Sequence, residues 1–531
     1  MAIASGVPVP EIYVLEQEAG INAFAAGFTP SDAAVVVTRG ALEKLTRDEL
    51  QGVVAHEFSH ILNGDMRLNI RLMGVLFGIL VVGLIGRKIL EGMRHARDSK
   101  GLGPIFLAAL AIMVLGYVGL LIGRVIKASI SRSREFLADA SAVQFTRQTV
   151  GLAGALKKVG GLAQGSKLEA GESEDVSHML FSDGVGFSGL FATHPPLLER
   201  IQKLDKQFDP RQFVDIHKQW GGNVDVLAFD DEMALAGRSG LAGASPKRAA
   251  PPALPGADSQ VRVEARAVSR QVGNPANDDY RVADQLHHQI PDELKGAARD
   301  PAKAESLMLA LMIDPGTHAV QLRLIATALG DQTAQLANHL GASLASVHPM
   351  MRLPLANMAF PSLRRLPRPR LDQFTAVLER LMHVDGQVLP YEFCLATLVR
   401  VQVADFLDPP NAKAVGRSKL TDCREQAIGL LALVAEQGHD NRADAERAFQ
   451  AAAAVLFQGQ ALPYQPPSDW RGFLDQALPT LDRLNATGKQ LLIEALVRGI
   501  SQDGLLSVPE AELLRLVCAA LHCPLPPVLS L

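Results

Sequence analysis

Two runs without a single charge, Leu72 to Gly86 and Gly101 to Gly123, constrain this 531-residue chain more than anything else in it. The first holds 15 residues between Arg71 and Arg87, the second 23 between Lys100 and Arg124. As helices they would be roughly 22 and 34 Å long. The second therefore crosses the roughly 30 Å hydrocarbon core of a bilayer, and the first does so with its flanking arginines snorkelling to the headgroups. The pair reads as a membrane hairpin at about residues 70–124. Two buried core helices of a soluble protein would show the same runs, and the residues alone leave that alternative standing.

The chain is too long for one hydrophobic core, so two or three domains are expected. With 52 Lys+Arg against 56 Asp+Glu the formal charge is -4, which excludes a basic nucleic-acid binder, and no nucleic-acid partner is expected. Aromatic residues are only 5% of a composition dominated by Ala, Leu and Gly, which favours helices over a β-sandwich. Cys394, Cys423, Cys518 and Cys523 show no CxxC spacing, so neither a disulfide scaffold nor a cysteine-built zinc site is expected. The first ten residues lack the basic start and apolar run of a signal peptide.

Ahead of the apolar pair, residues 1 to about 66 read as a small α/β region, with strands at Glu11–Leu15 and Ala33–Thr38. A helix opens at Thr46, which has capping-box spacing to Glu49, and runs through His60. From Arg124 to about Phe208 the pattern is helical, interrupted by a polar loop around Gln164 to Ser177. Residues 236–286 form an Ala/Pro/Gly-rich stretch expected to be a flexible linker, and 287–531 a run of Leu/Ala-rich amphipathic helices. Within that run Leu378 to Val399 aligns without gaps on Leu496 to Val517, matching Asp385 to Asp503, Gly386 to Gly504 and Glu392 to Glu510, which suggests two related halves.

His56-Glu57-Phe58-Ser59-His60 is an H-E-x-x-H sequence inside the expected helix. Positions i and i+4 share a helix face, so both imidazoles can reach one Zn²⁺ with Glu57 beside them to take a proton from water whose pKa the metal lowers. A catalytic zinc needs a third protein ligand and an open position. Glu135, with Asp139 four residues on, can ligate the ion while Asp139 accepts a hydrogen bond from a ligand imidazole. A solvated charged helix face would read the same way, because Arg132 and Arg134 adjoin.

Taken together, residues 1 to about 205 resemble the catalytic part of the HtpX-like membrane zinc metallopeptidases, relatives of the CAAX prenyl protease. The resemblance rests on Asn22-Ala23-Phe24-Ala25, the His56–His60 pentapeptide with Asn63-Gly64-Asp65, the apolar pair, Ser131 to Asp139, and Thr193-His194-Pro195-Pro196 with Arg200. It implies one zinc per chain held by His56, His60 and Glu135, Glu57 as general base, and His194 as donor to the oxyanion of the tetrahedral intermediate. It implies further that Asn22 sits on an edge strand and holds the substrate backbone. A helix-start histidine and a turn asparagine are the plain alternatives for His194 and Asn22, and Arg200 is expected to make a structural ion pair. Members of this family carry further membrane helices before the region equivalent to Gly6, so either the chain starts upstream or it relies on the central hairpin alone.

The fold expected is mainly α with a small α+β portion. A helical zincin-type metallopeptidase domain with a transmembrane hairpin covers 1–235, and an all-α carboxy-terminal domain follows the linker. Because His56 and Glu135 must meet at one metal, the chain between them crosses the membrane an even number of times. Lysine and arginine lie on both sides of the apolar runs and do not decide sidedness; the resemblance implies a multi-pass protein of the bacterial inner membrane with a cytoplasmic active site. The expected partners are polypeptide substrates, membrane proteins above all, the lipid bilayer, and a protein partner of the carboxy-terminal domain. The last residues, Ser501 to Pro527, are similar to TerB-like helical domains. Asp503-Gly504 as a turn and Ser507 with Glu510 as a capping box account for the same residues structurally. The reading is a zinc endopeptidase of membrane-protein quality control or processing; the alternative is a membrane-tethered scaffold with a vestigial peptidase part.

Overall fold

The computed structural model describes residues 1–93, 103–161, 181, 194–213, 254–256, 259–313, 318–382, 390–408, 416–439, 441–458, 460, 462–501 and 504–528. The polar loop expected at Gln164–Ser177, Thr193, and the Asp385, Gly386 and Asp503 of the internal repeat lie outside them.

The chain divides into two compact units. One comprises Ile12–Phe28 and Ala33–Lys247, the other Met1–Glu11, Thr29–Asp32 and Arg248–Leu531. By their contacts the first eleven residues, with the short helix α1 (Ala2–Ser5), group with the second unit.

In the peptidase unit three short strands, β1 (Glu11–Leu15), β2 (Ala23–Ala26) and β3 (Ala34–Thr38), form a sheet in the order β1-β3-β2. Strands β2 and β3 are antiparallel, with Ala23 opposite Val37 and Ala26 opposite Ala34. Thr38 ends β3 and caps α2 (Arg39–Lys44) by accepting a hydrogen bond from Ala41 N–H. Helix α3 (Arg47–Asn63) starts as the sequence predicts, with both halves of the Thr46–Glu49 capping box formed. The Glu49 carboxylate is used twice, since the buried Lys158 ammonium of α6 (Thr149–Gly161) also donates to it at 2.7 Å. Gly64, in the left-handed region at φ 68°, stops α3 and lets α4 (Asp65–Met93) begin one residue later in a new direction.

Helix α5 (Gly103–Thr146) is longer than its apolar run predicts. At 44 residues it measures about 66 Å, about twice the hydrocarbon thickness of a bilayer. Helices α4 and α5 pack backbone to backbone: a Cβ on Gly116 would stand 2.3 Å from Gly83 N, which only glycine tolerates. Their outer faces are apolar and bare, with Leu115 71%, Phe77 66% and Leu107 65% exposed. Core helices of a soluble protein would bury such residues; lipid is the solvent that fits them. Helix α7 (Leu197–Leu204) closes the described part of this unit against α6.

The second unit is helical around a core of leucine, alanine and phenylalanine. The linker expected to end at 286 is shorter than that. Residues 260–262 form β4 (Gln260–Arg262), paired antiparallel with β5 (Leu505–Ser507), and helices cover Ala265–Arg270 and Asn277–Gln289. Val261, Val263, Val268, Val282 and Leu286 are buried, and this spaced apolar set orders a stretch whose overall composition reads as linker. The repeat-matched Glu392 and Glu510 both fall in the first turn of a helix, α8 (Pro390–Leu407) and α9 (Val508–Ala520). The Ser507–Glu510 capping box is formed as expected.

Candidate active site

Three helices and the strand edge meet at one point. On α3, His56 and Glu57 are fully buried and His60 lies one turn on, with its side chain 15% exposed. On α5, Glu135 reaches the same point: its Oε2 lies 3.5 Å from His56 Nε2 and its Oε1 3.6 Å from His60 Nε2. The i, i+4 spacing brings the two Nε2 atoms to 3.2 Å from each other. Ala25 of β2, Glu57, His60, Asp65, Asn69 and Glu135 are among the residues that line a small open cleft here.

Each imidazole turns its other nitrogen to a carboxylate. His56 Nδ1 is 3.0 Å from Asp139 Oδ1, and His60 Nδ1 is 2.9 Å from Asp65 Oδ2. Asp139, expected to orient a ligand histidine, does face one. It is itself gripped by Arg200 on α7, which donates from Nε at 2.9 Å and from Nη2 at 2.7 Å, and donates Nη1 to the Phe181 carbonyl at 2.9 Å. Arg200 thus makes the structural ion pair expected of it. Burial alone would depress the His56 imidazole, but the Asp139 and Glu135 carboxylates outweigh it and hold it up at about 9. Burial pushes the Glu57 carboxyl upward, the direction a general base needs.

A metal can be tested against this donor set. With both Nδ1 atoms facing carboxylates, the two Nε2 atoms and the Glu135 oxygens face one another, an arrangement that a divalent ion can bridge once His56 gives up its Nε2 proton. Two nitrogens held at about 2.0–2.1 Å by a tetrahedral zinc stand about 3.3 Å apart, close to the spacing found. Among the described residues, His56, His60 and Glu135 form a group whose ligand atoms all lie within 4.8 Å of one another. The residues fit a divalent ion. Both Glu57 carboxylate oxygens are buried without a hydrogen-bond partner, beside the place a water would occupy.

His194 is buried next to Glu135, its Nδ1 3.0 Å from Oε2, and neither ring nitrogen completes a hydrogen bond. Asn22 is expected to hold the substrate backbone from an edge strand. It is fully buried just before the edge strand, and its side-chain oxygen accepts from the backbone N–H of Ala23 and of Phe181, both at 3.0 Å. That geometry ties the start of the strand to Phe181. Sequence reasoning gave Asp65 no role; its place immediately after the Gly64 break was the available signal.

The family model of peptidase family M48 matches residues 1–208. A protease HtpX homolog of Thermoanaerobacter pseudethanolicus is 38% identical over 209 residues, 38% of this chain and 68% of the relative. A protease HtpX homolog of Listeria monocytogenes serotype 4a is 38% identical over 220 residues, 39% and 70% of the two chains. That of Streptococcus uberis is 34% identical over 213 residues, 38% and 69%. No solved structure matches the chain.

Proposed function

The chain belongs to peptidase family M48 and is an HtpX-like membrane-bound metalloprotease acting on polypeptides, and from that premise we propose that zinc is its metal and His56, His60 and Glu135 the ligands. The observation that carries this is the meeting of the two Nε2 atoms with Glu135 while His60 Nδ1 is hydrogen-bonded to Asp65 and His56 Nδ1 faces Asp139 at 3.0 Å. When bound, zinc supplies Lewis acidity that brings a water's pKa toward neutrality and polarises a carbonyl.

The chain's own residues supply the rest. Glu57, buried and without a hydrogen-bond partner, takes the proton of the attacking water and delivers it to the leaving amine. Asp139 keeps the His56 proton on Nδ1, and Arg200 keeps Asp139 ionised and in place. His194, through its unpartnered Nε2, donates to the developing oxyanion. With the apolar run of α5 in lipid, Glu135 stands roughly 18 Å along the helix beyond Gly123, clear of the hydrocarbon. We read the chain as multi-pass, with both crossings between His60 and Glu135, the active site cytoplasmic and membrane proteins as substrates. The helical unit is read as an interaction module for a protein partner, with a TerB-like domain at its end as part of the same proposal. A vestigial scaffold is not favoured, because every residue type the chemistry needs is present and converges.

The full chain in detergent should cut casein, stop when phenanthroline removes the metal, and recover when zinc is restored. Glu57→Gln should keep its zinc and lose cleavage; a Glu57→Gln protein that cuts like wild type rules the reading out.

A further inference from the structure

The His56–Asp139–Arg200 chain has a counterpart on the other histidine. Asp65 Oδ2 lies 2.9 Å from His60 Nδ1, and Asp65 Oδ1 lies 3.3 Å from Arg134 Nη1. The Asp65 side chain is 4% exposed and that of Arg134 40%, so the carboxylate is buried against His60 while the guanidinium that pairs with it reaches solvent. The two imidazoles are thus served by parallel histidine–carboxylate–guanidinium chains, fastened to different parts of the fold. Asp139 and Arg200 come from α5 and α7, whereas Asp65 is the first residue of α4 and Arg134 sits on α5 directly before Glu135.

Local geometry argues that this contact is built. Had α3 continued straight, position 65 would lie about 140° around the helix from His60 and could not face its ring. The left-handed turn at Gly64 ends α3 and folds the next residue back over the last turn, which brings a carboxylate onto Nδ1. An acidic group at the first turn of α4 is also favoured there by the helix dipole.

We propose that Asp65 is a positioning residue for metal binding. It accepts the His60 Nδ1–H, which presents the Nε2 lone pair to the ion, and Arg134 fastens that carboxylate to the helix carrying the third ligand. The histidine pair of α3 and Glu135 of α5 are thereby held in register at the base of the apolar hairpin. This rests on the metal site proposed above.

Zinc affinity of the full chain in detergent, measured by competition with a fluorescent chelator, tests it without reference to cleavage. Asp65→Ala should weaken zinc binding about 10- to 100-fold. Asp65→Asn, whose side-chain oxygen can accept the same N–H, should retain most of the affinity, a rescue that a merely structural role would not show. Arg134→Ala should cost less than Asp65→Ala. Because Arg134 acts through Asp65, the double variant should bind no more weakly than Asp65→Ala alone. Wild-type affinity in a folded Asp65→Ala protein, equal losses in the Asn and Ala variants, or losses that multiply in the double variant would each overturn the assignment. A wild type that binds no zinc would instead sink the metal-site reading itself.

Discussion

Both units leave some buried polar atoms without a partner, Arg352 Nε and Arg515 Nη2 in the helical unit among them, but they use their buried charges differently. In the peptidase unit, Glu57, Glu135 and His194 are buried with oxygens and nitrogens that complete no hydrogen bond, and they surround one point. In the helical unit, His522 bridges Asp405 at 2.7 Å and Asp482 at 2.9 Å, and Lys489 donates to Asp482 and to the Leu521 carbonyl, both at 2.6 Å. Arg515 Nη1 donates to both oxygens of Glu512 on α9, while its Nη2 completes no hydrogen bond. An unpaired buried polar atom costs about 1–3 kcal/mol, so a fold that collects several at one place must recover that from a ligand. Closed pairs ask for no ligand and hold helices together. The same residue types surround the proposed metal site in one unit and tie helices together in the other.

The comparison breaks first at Glu57. Glu57→Gln should lower kcat by about 10²- to 10⁴-fold on a quenched fluorescent peptide while leaving urea unfolding of both units unchanged. A matching loss of stability would mean that Glu57 is a structural partner after all. Arg200→Ala should be next, since it leaves Asp139 buried without its bidentate partner; removing one member of such a pair costs about 3–5 kcal/mol. Thermal unfolding should report the loss and metal analysis should show the zinc released.

For the helical unit the sharper probe is pH. Burial opposes charging His522, but hydrogen bonds to Asp405 and Asp482 outweigh it and raise the imidazole from its ordinary 6.5 to about 9. A raised folded value means that the stabilisation is complete below about 6.5 and fades as pH rises through about 9. The urea midpoint read from Trp470, which packs edge-on against Phe393 at 5.2 Å, should fall between pH 6 and pH 10 by the equivalent of about 2–3 kcal/mol in a Trp220→Phe background. His522→Gln should flatten that slope, and a slope unchanged by it would remove the clamp from the account. Smallest are the caps: Thr46→Ala and Ser507→Ala should each cost about 1 kcal/mol, each in its own unit.

What the sequence discloses follows how local the determinant is. The start of α3, the shared face of His56 and His60, and the Ser507 cap depend on residues three or four apart, and all are legible. Glu135 and Asp139 stand out as a spaced acidic pair, though their meeting with α3 is a matter of how α4 and α5 bring the chain back. The continuity of α5 is hidden because the change from apolar to charged residues at Arg124 looks like a boundary, while helix formation is indifferent to it. The bond from Phe181 N–H to Asn22 could not be read from the sequence, because the two lie 159 positions apart. The folded end of the supposed linker is misread for the same reason, since β4 finds its partner strand at Leu505–Ser507.

The central claim is that two imidazoles of α3 and one carboxylate of α5 share an ion. Its most direct test is metal content of the purified full chain by mass spectrometry, compared with His56→Ala, His60→Ala and Glu135→Ala proteins that still fold. The account predicts close to one zinc per wild-type chain and loss of it in all three variants. Zinc retained after Glu135 is removed, or a metal-free wild type that cleaves, would contradict it.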